Sequence, residues 1–221
     1  MENRNPNFSI QQPEHPYKPM TLTLSKPPIS KTSKTKPQKL TPRYEQALVY
    51  AFQLHATQTR KGGTPYIAHL LAVSSLVLEN GGDEDQAIAA LLHDAVEDQG
   101  GAATLTIIQQ KFGDRVAAIV SSCTESDIQP KPPWRDRKER YIEQMRQASA
   151  DVYLVSLADK LDNLRSTHAL LQQEGITAWQ RFKGDRDQSL WFYQELLKIY
   201  QTSHTGYMIP VYTRILEAIA S

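Results

Sequence analysis

The segment that most restricts how this chain can fold is an apolar helical run that ends in a group of ionisable side chains. Residues 87–92 are all alanine, isoleucine or leucine, and they lead directly into His93-Asp94-Ala95-Val96-Glu97-Asp98. Such a run is expected in a protein core, where ionised carboxylates cost several kcal/mol unless something compensates them. A divalent cation would compensate them well. The segment therefore predicts a metal site built against the core and, with it, a metal-dependent hydrolase.

Two residues elsewhere in the chain supply further ligands of the kind that such a cation needs. These are His69, which follows a short apolar segment, and Asp159, which is flanked by alanine, leucine and lysine. Taken singly, His69 is also typical of a core histidine, and Asp159 is typical of an ion pair with Lys160. Two histidines with two aspartates form a mixed nitrogen and oxygen set that suits manganese, iron or zinc better than calcium. Because these ligands lie far apart in sequence, they must meet through tertiary packing.

Residues 1–42 differ in composition from the rest of the chain. They hold eight of the 13 prolines and six lysines, among many serines, threonines and glutamines. A segment of this kind cannot bury enough apolar surface to offset the entropy of ordering it. We therefore predict a disordered tail over residues 1–42 and one folded domain over residues 43–221. A targeting peptide, an electrostatic tether or a short strand near Leu22 and Leu24 are alternatives for the tail.

Charge and cysteine content exclude several classes of protein. With 25 basic and 24 acidic side chains, the chain has no overall field that would attract nucleic acid. The single cysteine, Cys123, excludes an internal disulfide framework and suits a reducing compartment. No run of 18 apolar residues is present, and the N-terminus lacks the apolar region of a secretory signal. We expect a cytoplasmic protein that binds neither nucleic acid nor membranes, and the oligomeric state is left open.

The hydrophobic spacing that follows residue 42 is helical. Apolar side chains recur at intervals of three and four, and no window alternates with a period of two. Turn signals at residues 62–65 and 80–83 separate the first helices, and the second of these signals caps the helix that carries His93 and Asp94. We predict an all-α fold of about eight to ten helices, in which His93 and Asp94 belong to one continuous helix.

Three segments that contain these ligands resemble the signatures of a known family. Residues 60–69, 89–98 and 157–165 are similar to the three signatures of the RelA/SpoT-type alarmone hydrolases, which belong to the HD metal-dependent phosphohydrolase superfamily. Their order and spacing agree as well, and the resemblance covers roughly residues 43–205. It implies a helical bundle of the HD type. Because the chain has no room for a synthetase domain, we expect a small, single-domain alarmone hydrolase.

The resemblance also implies the roles of the residues in these segments. One Mn²⁺ ion, with other divalent metals as alternatives, is held by four ligands, His69, His93, Asp94 and Asp159. Glu97 and Asp98 position or deprotonate the water that attacks a phosphate. Glu97 follows Asp94 by three residues and is expected on the same helix face, where it can accept a proton without binding the metal. The alternative for both carboxylates is a solvated helix C-terminus.

The implied substrate is a small purine nucleotide with pyrophosphate groups at its 5′ and 3′ positions, which needs cations in its pocket. The candidate contacts, taken from the resemblance and from helix spacing, are Arg60, Lys61, Tyr66, Asn163, Lys131, Arg135 and Arg186. Residues 131–140 are the densest basic cluster of the predicted domain, although such a cluster also fits a solvated helix face. Trp134 stands where animal-type relatives carry a lysine, so the phosphate contact could pass to Lys131 or Arg135.

The implied reaction is hydrolysis of the 3′-pyrophosphate of guanosine tetraphosphate or pentaphosphate, which releases pyrophosphate and leaves GDP or GTP. Ala95 and Gln99 stand where many relatives carry threonine, and a glutamine at the pocket edge could alter the choice of substrate. The adenosine analogues are an alternative substrate, because a stacking arginine does not discriminate between purines. An HD nucleotidase or an NADPH phosphatase is a further alternative. A non-catalytic nucleotide-binding module is least favoured, because neither a metal ligand nor the Glu97-Asp98 pair has been lost.

Overall fold

The structure, a computed structural model, describes residues 39–126, 130–203 and 206–221. These residues lie within one compact unit, Pro37–Ser221. The predicted tail and its alternative strand near Leu22 fall almost entirely outside the described residues, so the division into tail and domain stays a prediction.

Ten α-helices and one 3-10 helix make up the regular structure of the described residues. In chain order they are α1 (Pro42–Leu54), α2 (Ile67–Glu79), α3 (Glu84–Leu92), α4 (Ala95–Asp98), α5 (Gly101–Phe112), α6 (Asp114–Cys123), α7 (Trp134–Arg146), α8 (Ala150–Glu174), the 3-10 helix (Gly175–Arg181), α9 (Arg186–Ser203) and α10 (Met208–Ala220). Among these residues β pairing is limited to an isolated bridge between Thr59 and Pro65. The predicted all-α fold is confirmed.

Two helices begin where local capping chemistry predicts a helix start. The Thr41 hydroxyl accepts a hydrogen bond from the backbone N–H of Arg43, and Pro42 occupies the first position of α1, where its missing N–H costs nothing. Asp83 and Gln86 form a reciprocal capping box at the start of α3. These caps hold the first turns of α1 and α3, and α3 leads directly to the candidate metal ligands.

The centre of the domain is formed by α2, α3 and α8, which pack against one another. All six side chains of residues 87–92 on α3 are fully buried. Burial of a single leucine side chain contributes about 1.5–3 kcal/mol, so this short helix is held firmly in place. His69 lies on α2, His93 follows α3 and Asp159 lies on α8, so the packing of these three helices positions the candidate ligands.

The prediction of one continuous helix through His93 and Asp94 is wrong. Helix α3 ends at Leu92, and the four-residue helix α4 begins at Ala95. The local sequence contains no glycine or proline that would stop a helix, and apolar residues continue through Val96. The interruption is therefore set by tertiary packing. Glu97 consequently does not share a continuous helix face with Asp94.

Two helices have ends that the helical spacing of the sequence did not locate. Helix α5 begins at Gly101, and both Gly100 and Gly101 adopt positive φ angles, of 127° and 60°, that favour glycine. Helix α8 continues to Glu174 and is followed directly by the 3-10 helix. None of the helices in the described ranges is both long enough and apolar enough to span a bilayer.

Candidate metal centre and adjoining cavity

The four predicted metal ligands come together in space. His93 Nε2 lies 3.1 Å from Asp94 Oδ2 and 3.6 Å from Asp159 Oδ1. His69 Nε2 lies 3.3 Å from the same Asp159 oxygen and 3.7 Å from the same Asp94 oxygen. One donor atom each from His69, His93 and Asp159 lies within 4.8 Å of the other two. The two nitrogens thus face two carboxylate oxygens across one small space.

The donor set and its burial fit a divalent cation. Both Nε2 atoms are buried, and neither makes a hydrogen bond to any part of the chain that the structure describes. A buried polar atom without a hydrogen-bond partner costs about 1–3 kcal/mol. A cation bound between the two Nε2 atoms and the two nearby carboxylates would remove this cost. Imidazole nitrogen together with carboxylate oxygen is a donor combination used by divalent transition metals.

The other ring nitrogen of each histidine has a partner that leaves Nε2 available. His93 Nδ1 donates a hydrogen bond of 2.8 Å to the Ala90 carbonyl. His69 Nδ1 lies 2.6 Å from Asp162 Oδ2. A proton held on Nδ1 leaves the Nε2 lone pair free for a metal. Asp162 lies inside the third signature segment and was not among the predicted site residues. Its position three residues after Asp159 on a helix indicates a neighbouring helix face.

The two candidate aspartate ligands are themselves held by hydrogen bonds. The Tyr66 hydroxyl donates to Asp94 Oδ2 over 2.5 Å. Asn163 Nδ2 donates to Asp159 Oδ1 over 2.5 Å, and Lys160 Nζ donates to Asp159 Oδ2 over 2.7 Å. The ion pair with Lys160 therefore does not compete with the candidate metal role of Asp159, because it uses the other carboxylate oxygen.

Charges within this group are balanced locally. Burial by itself would raise the pKa of Asp94 and of Asp159, but the neighbouring His93 keeps the pKa of Asp94 well below its usual range, and Lys160 together with His93 does the same for Asp159. Burial by itself would lower the pKa of His93, but the neighbouring carboxylates raise it well above its usual value. A cation bound here would take the place of the additional proton that the raised pKa of His93 favours, so metal binding is expected to release it.

A cavity of about 710 Å³ adjoins the candidate metal centre. His69, Asp94 and Asp159 line it, and its other walls carry several cations. Among the described residues, three of these cations have no carboxylate within 4.0 Å, namely Arg60, Lys61 and Lys183. Unpaired cations beside a metal centre suit an anionic ligand that carries phosphate groups.

Glu97 and Asp98 also line the cavity. Glu97 Oε1 accepts a hydrogen bond of 2.9 Å from Lys131, and its side chain is only 16% exposed. Burial and the nearby Glu125 carboxylate raise the pKa of Glu97. Asp98 Oδ2 accepts a hydrogen bond of 2.9 Å from Gln58. Because the Glu97 side chain is mostly buried, the alternative of a fully solvated helix end does not apply to it. Its raised pKa suits a proton acceptor that works near neutral pH.

Of the seven predicted substrate contacts, four line the cavity: Arg60, Lys61, Tyr66 and Asn163. Lys131 pairs with Glu97 instead. The Arg135 guanidinium lies 3.3 Å from the centroid of the Trp191 ring, and Arg186 donates to the Ala220 carbonyl. The structure therefore does not place Lys131, Arg135 or Arg186 on the cavity wall, and their contact with a substrate stays a prediction without geometric support.

The basic residues that α7 brings to the cavity are Arg137 and Lys138. Neither was among the predicted substrate contacts, although both follow Trp134 at the three- and four-residue spacing of one helix face. Both pair with Glu125, over 2.9 Å in the case of Arg137. Lys160 Nζ lies 3.9 Å from the same Glu125 carboxylate. Glu125, which no sequence pattern marked, thus links α7 to the lysine that holds Asp159.

Sequence comparison shows which known proteins this chain is similar to. The sequence model of the HD domain family matches residues 47–186. The chain is 34% identical over 148 residues to the guanosine-3′,5′-bis(diphosphate) 3′-pyrophosphohydrolase MESH1 of Drosophila melanogaster, covering 65% of this chain and 78% of that protein. It is 37% identical over 134 residues to the bifunctional (p)ppGpp synthase/hydrolase SpoT of Escherichia coli K12, covering 58% of this chain.

A solved structure shows the same arrangement of helices. It is that of a metazoan orthologue of SpoT described as hydrolysing ppGpp, and it superposes with a TM-score of 0.69 at 28% identity, covering 82% of this chain and 97% of the other. Some curated relatives are much longer proteins, since the chain spans 18% of SpoT and 17% of a Synechocystis relative.

Proposed function

We propose that this chain, which belongs to the HD domain family, hydrolyses the 3′-pyrophosphate of (p)ppGpp-type alarmones and releases pyrophosphate with GDP or GTP. The observation that carries the proposal is the pair of buried Nε2 atoms of His69 and His93, which face two carboxylates at the wall of a cation-lined cavity. The names of the MESH1 and SpoT relatives support the choice of substrate.

For the metal we propose one Mn²⁺ ion held by His69, His93, Asp94 and Asp159. When bound, such an ion supplies a water of lowered pKa and offsets charge on the phosphoryl oxygens. Glu97 is placed to accept a proton from the attacking water, because it lines the cavity and has a raised pKa. Lys131, at 2.9 Å, orients the Glu97 carboxylate. Asp98, fixed by Gln58, is placed to orient the same water.

On the substrate side, Arg60 is the candidate for stacking on the purine. Its guanidinium is fixed by hydrogen bonds to Asn163 and Ser166, of 2.8 and 3.2 Å, and lies 5.7 Å from the centroid of the Tyr66 ring. A planar cation held in this way can offer its face to a base. Lys61 and Lys183 are then available for phosphate oxygens of the same nucleotide.

A small nucleotide as substrate and a cytoplasmic location agree with the composition. The formal net charge of +1 provides no field for a nucleic acid partner. The single cysteine is buried and suits a reducing compartment.

Product analysis tests the proposed reaction. With Mn²⁺ present, we expect the full chain to release pyrophosphate from guanosine 3′-pyrophosphate nucleotides, and to lose this activity when a chelator removes the metal. The assay should include the adenosine analogues and NADPH, with pyrophosphate and orthophosphate measured separately. Orthophosphate as the sole product would contradict the proposal and indicate a nucleotidase or an NADPH phosphatase. Binding without turnover across all substrates and several metals would indicate a non-catalytic module.

The charge of Lys61 predicts a pH dependence of substrate capture. Partial desolvation and the cations Arg60, Lys138 and Lys183 lower the pKa of Lys61 to about 8. Its ammonium is charged below this pH and loses its proton above it, so kcat/KM should fall as the pH rises through about 8. An arginine keeps its charge throughout this range, so Lys61→Arg should remove this decline.

The exposed Lys198, which pairs with Glu195 on α9, provides the matched control. Lys198→Arg should keep the wild-type pH profile of kcat/KM. An unchanged decline in Lys61→Arg would show that another group causes it.

A further inference from the structure

The two candidate histidine ligands are oriented in different ways. His93 Nδ1 donates to a backbone carbonyl, that of Ala90, and no side-chain substitution removes that acceptor. His69 Nδ1 instead lies 2.6 Å from a side chain, the Asp162 carboxylate. The orientation of His69 is therefore the one that a single side chain can control.

The position of Asp162 favours support of His69 over direct binding of the metal. The contact is made through Nδ1, on the opposite edge of the ring from the Nε2 atom that faces Asp94 and Asp159. Asp94 and Asp159 contact the Nε2 atoms of the two histidines, whereas the histidine atom that Asp162 contacts in the described structure is Nδ1 of His69. Asp162 therefore contacts His69 through the ring nitrogen that does not face the candidate metal centre.

Burial makes this contact strong. The His69 side chain is 1% exposed and that of Asp162 is 14% exposed, so little water competes for the Nδ1 proton. Asp162 lies three residues after Asp159 on α8, so one helix carries both a candidate ligand and the group that orients another ligand. The helix spacing therefore couples the placement of Asp159 to that of His69.

We propose that Asp162 is a positioning residue, which holds the Nδ1 proton of His69 and so keeps its Nε2 lone pair directed at the metal. The inference rests on the proposed metal site, but it does not depend on the identity of the substrate. A carboxylate behind a ligating histidine fixes the ring and raises its basicity, and its loss typically weakens metal affinity about 10- to 100-fold.

Two substitutions separate hydrogen bonding from charge. Asp162→Ala removes the acceptor, and we expect it to weaken Mn²⁺ binding by about 10- to 100-fold. Asp162→Asn keeps an acceptor oxygen of the same shape without the charge, so we expect a smaller loss. Affinity is measured by titration with Mn²⁺ alone, in the absence of nucleotide.

Nuclear magnetic resonance of the Zn²⁺-loaded protein provides a readout that does not depend on activity. The His69 Nδ1 proton should exchange slowly in the wild type and in Asp162→Asn, and rapidly in Asp162→Ala. The Nδ1 proton of His93 is the internal control for folding and metal loading, because its backbone acceptor is untouched.

Equal loss of affinity in the two variants would overturn the proposal in favour of a charge effect. Unchanged affinity with an unchanged His69 proton in Asp162→Ala would overturn it entirely. Failure of the proposed hydrolysis would leave both readouts intact, because neither uses a nucleotide.

Discussion

Replacing Asp94 with asparagine is expected to lower kcat by about 10³-fold or more, since loss of several kcal/mol of metal stabilisation corresponds to at least this factor. Asp94 Oδ2 lies 3.1 Å from His93 Nε2 and 3.7 Å from His69 Nε2, so it is one of the atoms that would surround a cation bound by these histidines. An amide of the same shape removes the charge that balances a cation. Pyrophosphate release and Mn²⁺ affinity should therefore fall together.

The control for this substitution is Asp114→Asn. Asp114 is an exposed carboxylate at the start of α6, where it accepts a hydrogen bond from Gln109. That variant should keep wild-type turnover and wild-type Mn²⁺ affinity. Undiminished turnover in Asp94→Asn would remove the metal mechanism.

The second large effect is expected for Glu97→Gln, which should lower kcat by about 10²- to 10⁴-fold, the range for loss of general base catalysis. Mn²⁺ affinity should stay close to that of the wild type, because the Glu97 carboxylate pairs with Lys131 and, unlike that of Asp94, has no histidine nitrogen within 4.0 Å among the described residues. This separation of turnover from metal binding distinguishes Glu97 from Asp94.

The pH profile provides a second measurement for the same residue. Burial and Glu125 raise the pKa of Glu97 above that of an ordinary glutamate. A base is active only when deprotonated, so kcat should decline as the pH falls through this raised pKa. In Glu97→Gln the residual activity should lack that decline.

Glu143→Gln is the matched control, because Glu143 is an exposed residue of α7. In the described structure it pairs only with Arg146 of the same helix and with Gln147, which directly follows the helix. Its kcat should match the wild type. A loss of Mn²⁺ affinity in Glu97→Gln as large as its loss of turnover would instead make Glu97 a metal ligand.

Local signals in the sequence predicted the elements that local chemistry controls. Helix starts at Pro42 and Glu84 follow from the side chains of Thr41 and Asp83, which are within hydrogen-bonding reach of the first turn. The helical character of the chain follows from its apolar spacing in the same way. The ligand set was predicted because an apolar run cannot hold unpaired carboxylates, and because three segments resemble known signatures.

The basic residues of α7 show where a local pattern was insufficient. Lys131 and Arg135 belong to the same charged cluster as Arg137 and Lys138, and composition does not distinguish them. The rotation of α7 against α9 decides that Arg137 and Lys138 line the cavity, whereas Arg135 lies over Trp191. That rotation depends on packing by Trp134 and other apolar side chains of the helix.

By itself, the sequence determined the class of fold and predicted the candidate ligands and the chemistry proposed for them, because these depend on residue type and on spacing within one helix. Only the tertiary structure decided that the helix breaks at His93, that Asp162 contacts His69, and that Glu125 joins α7 to Lys160. These contacts join residues on different helices or at the junction of two. Their geometry is set by how buried side chains pack the helices together, which no local pattern encodes.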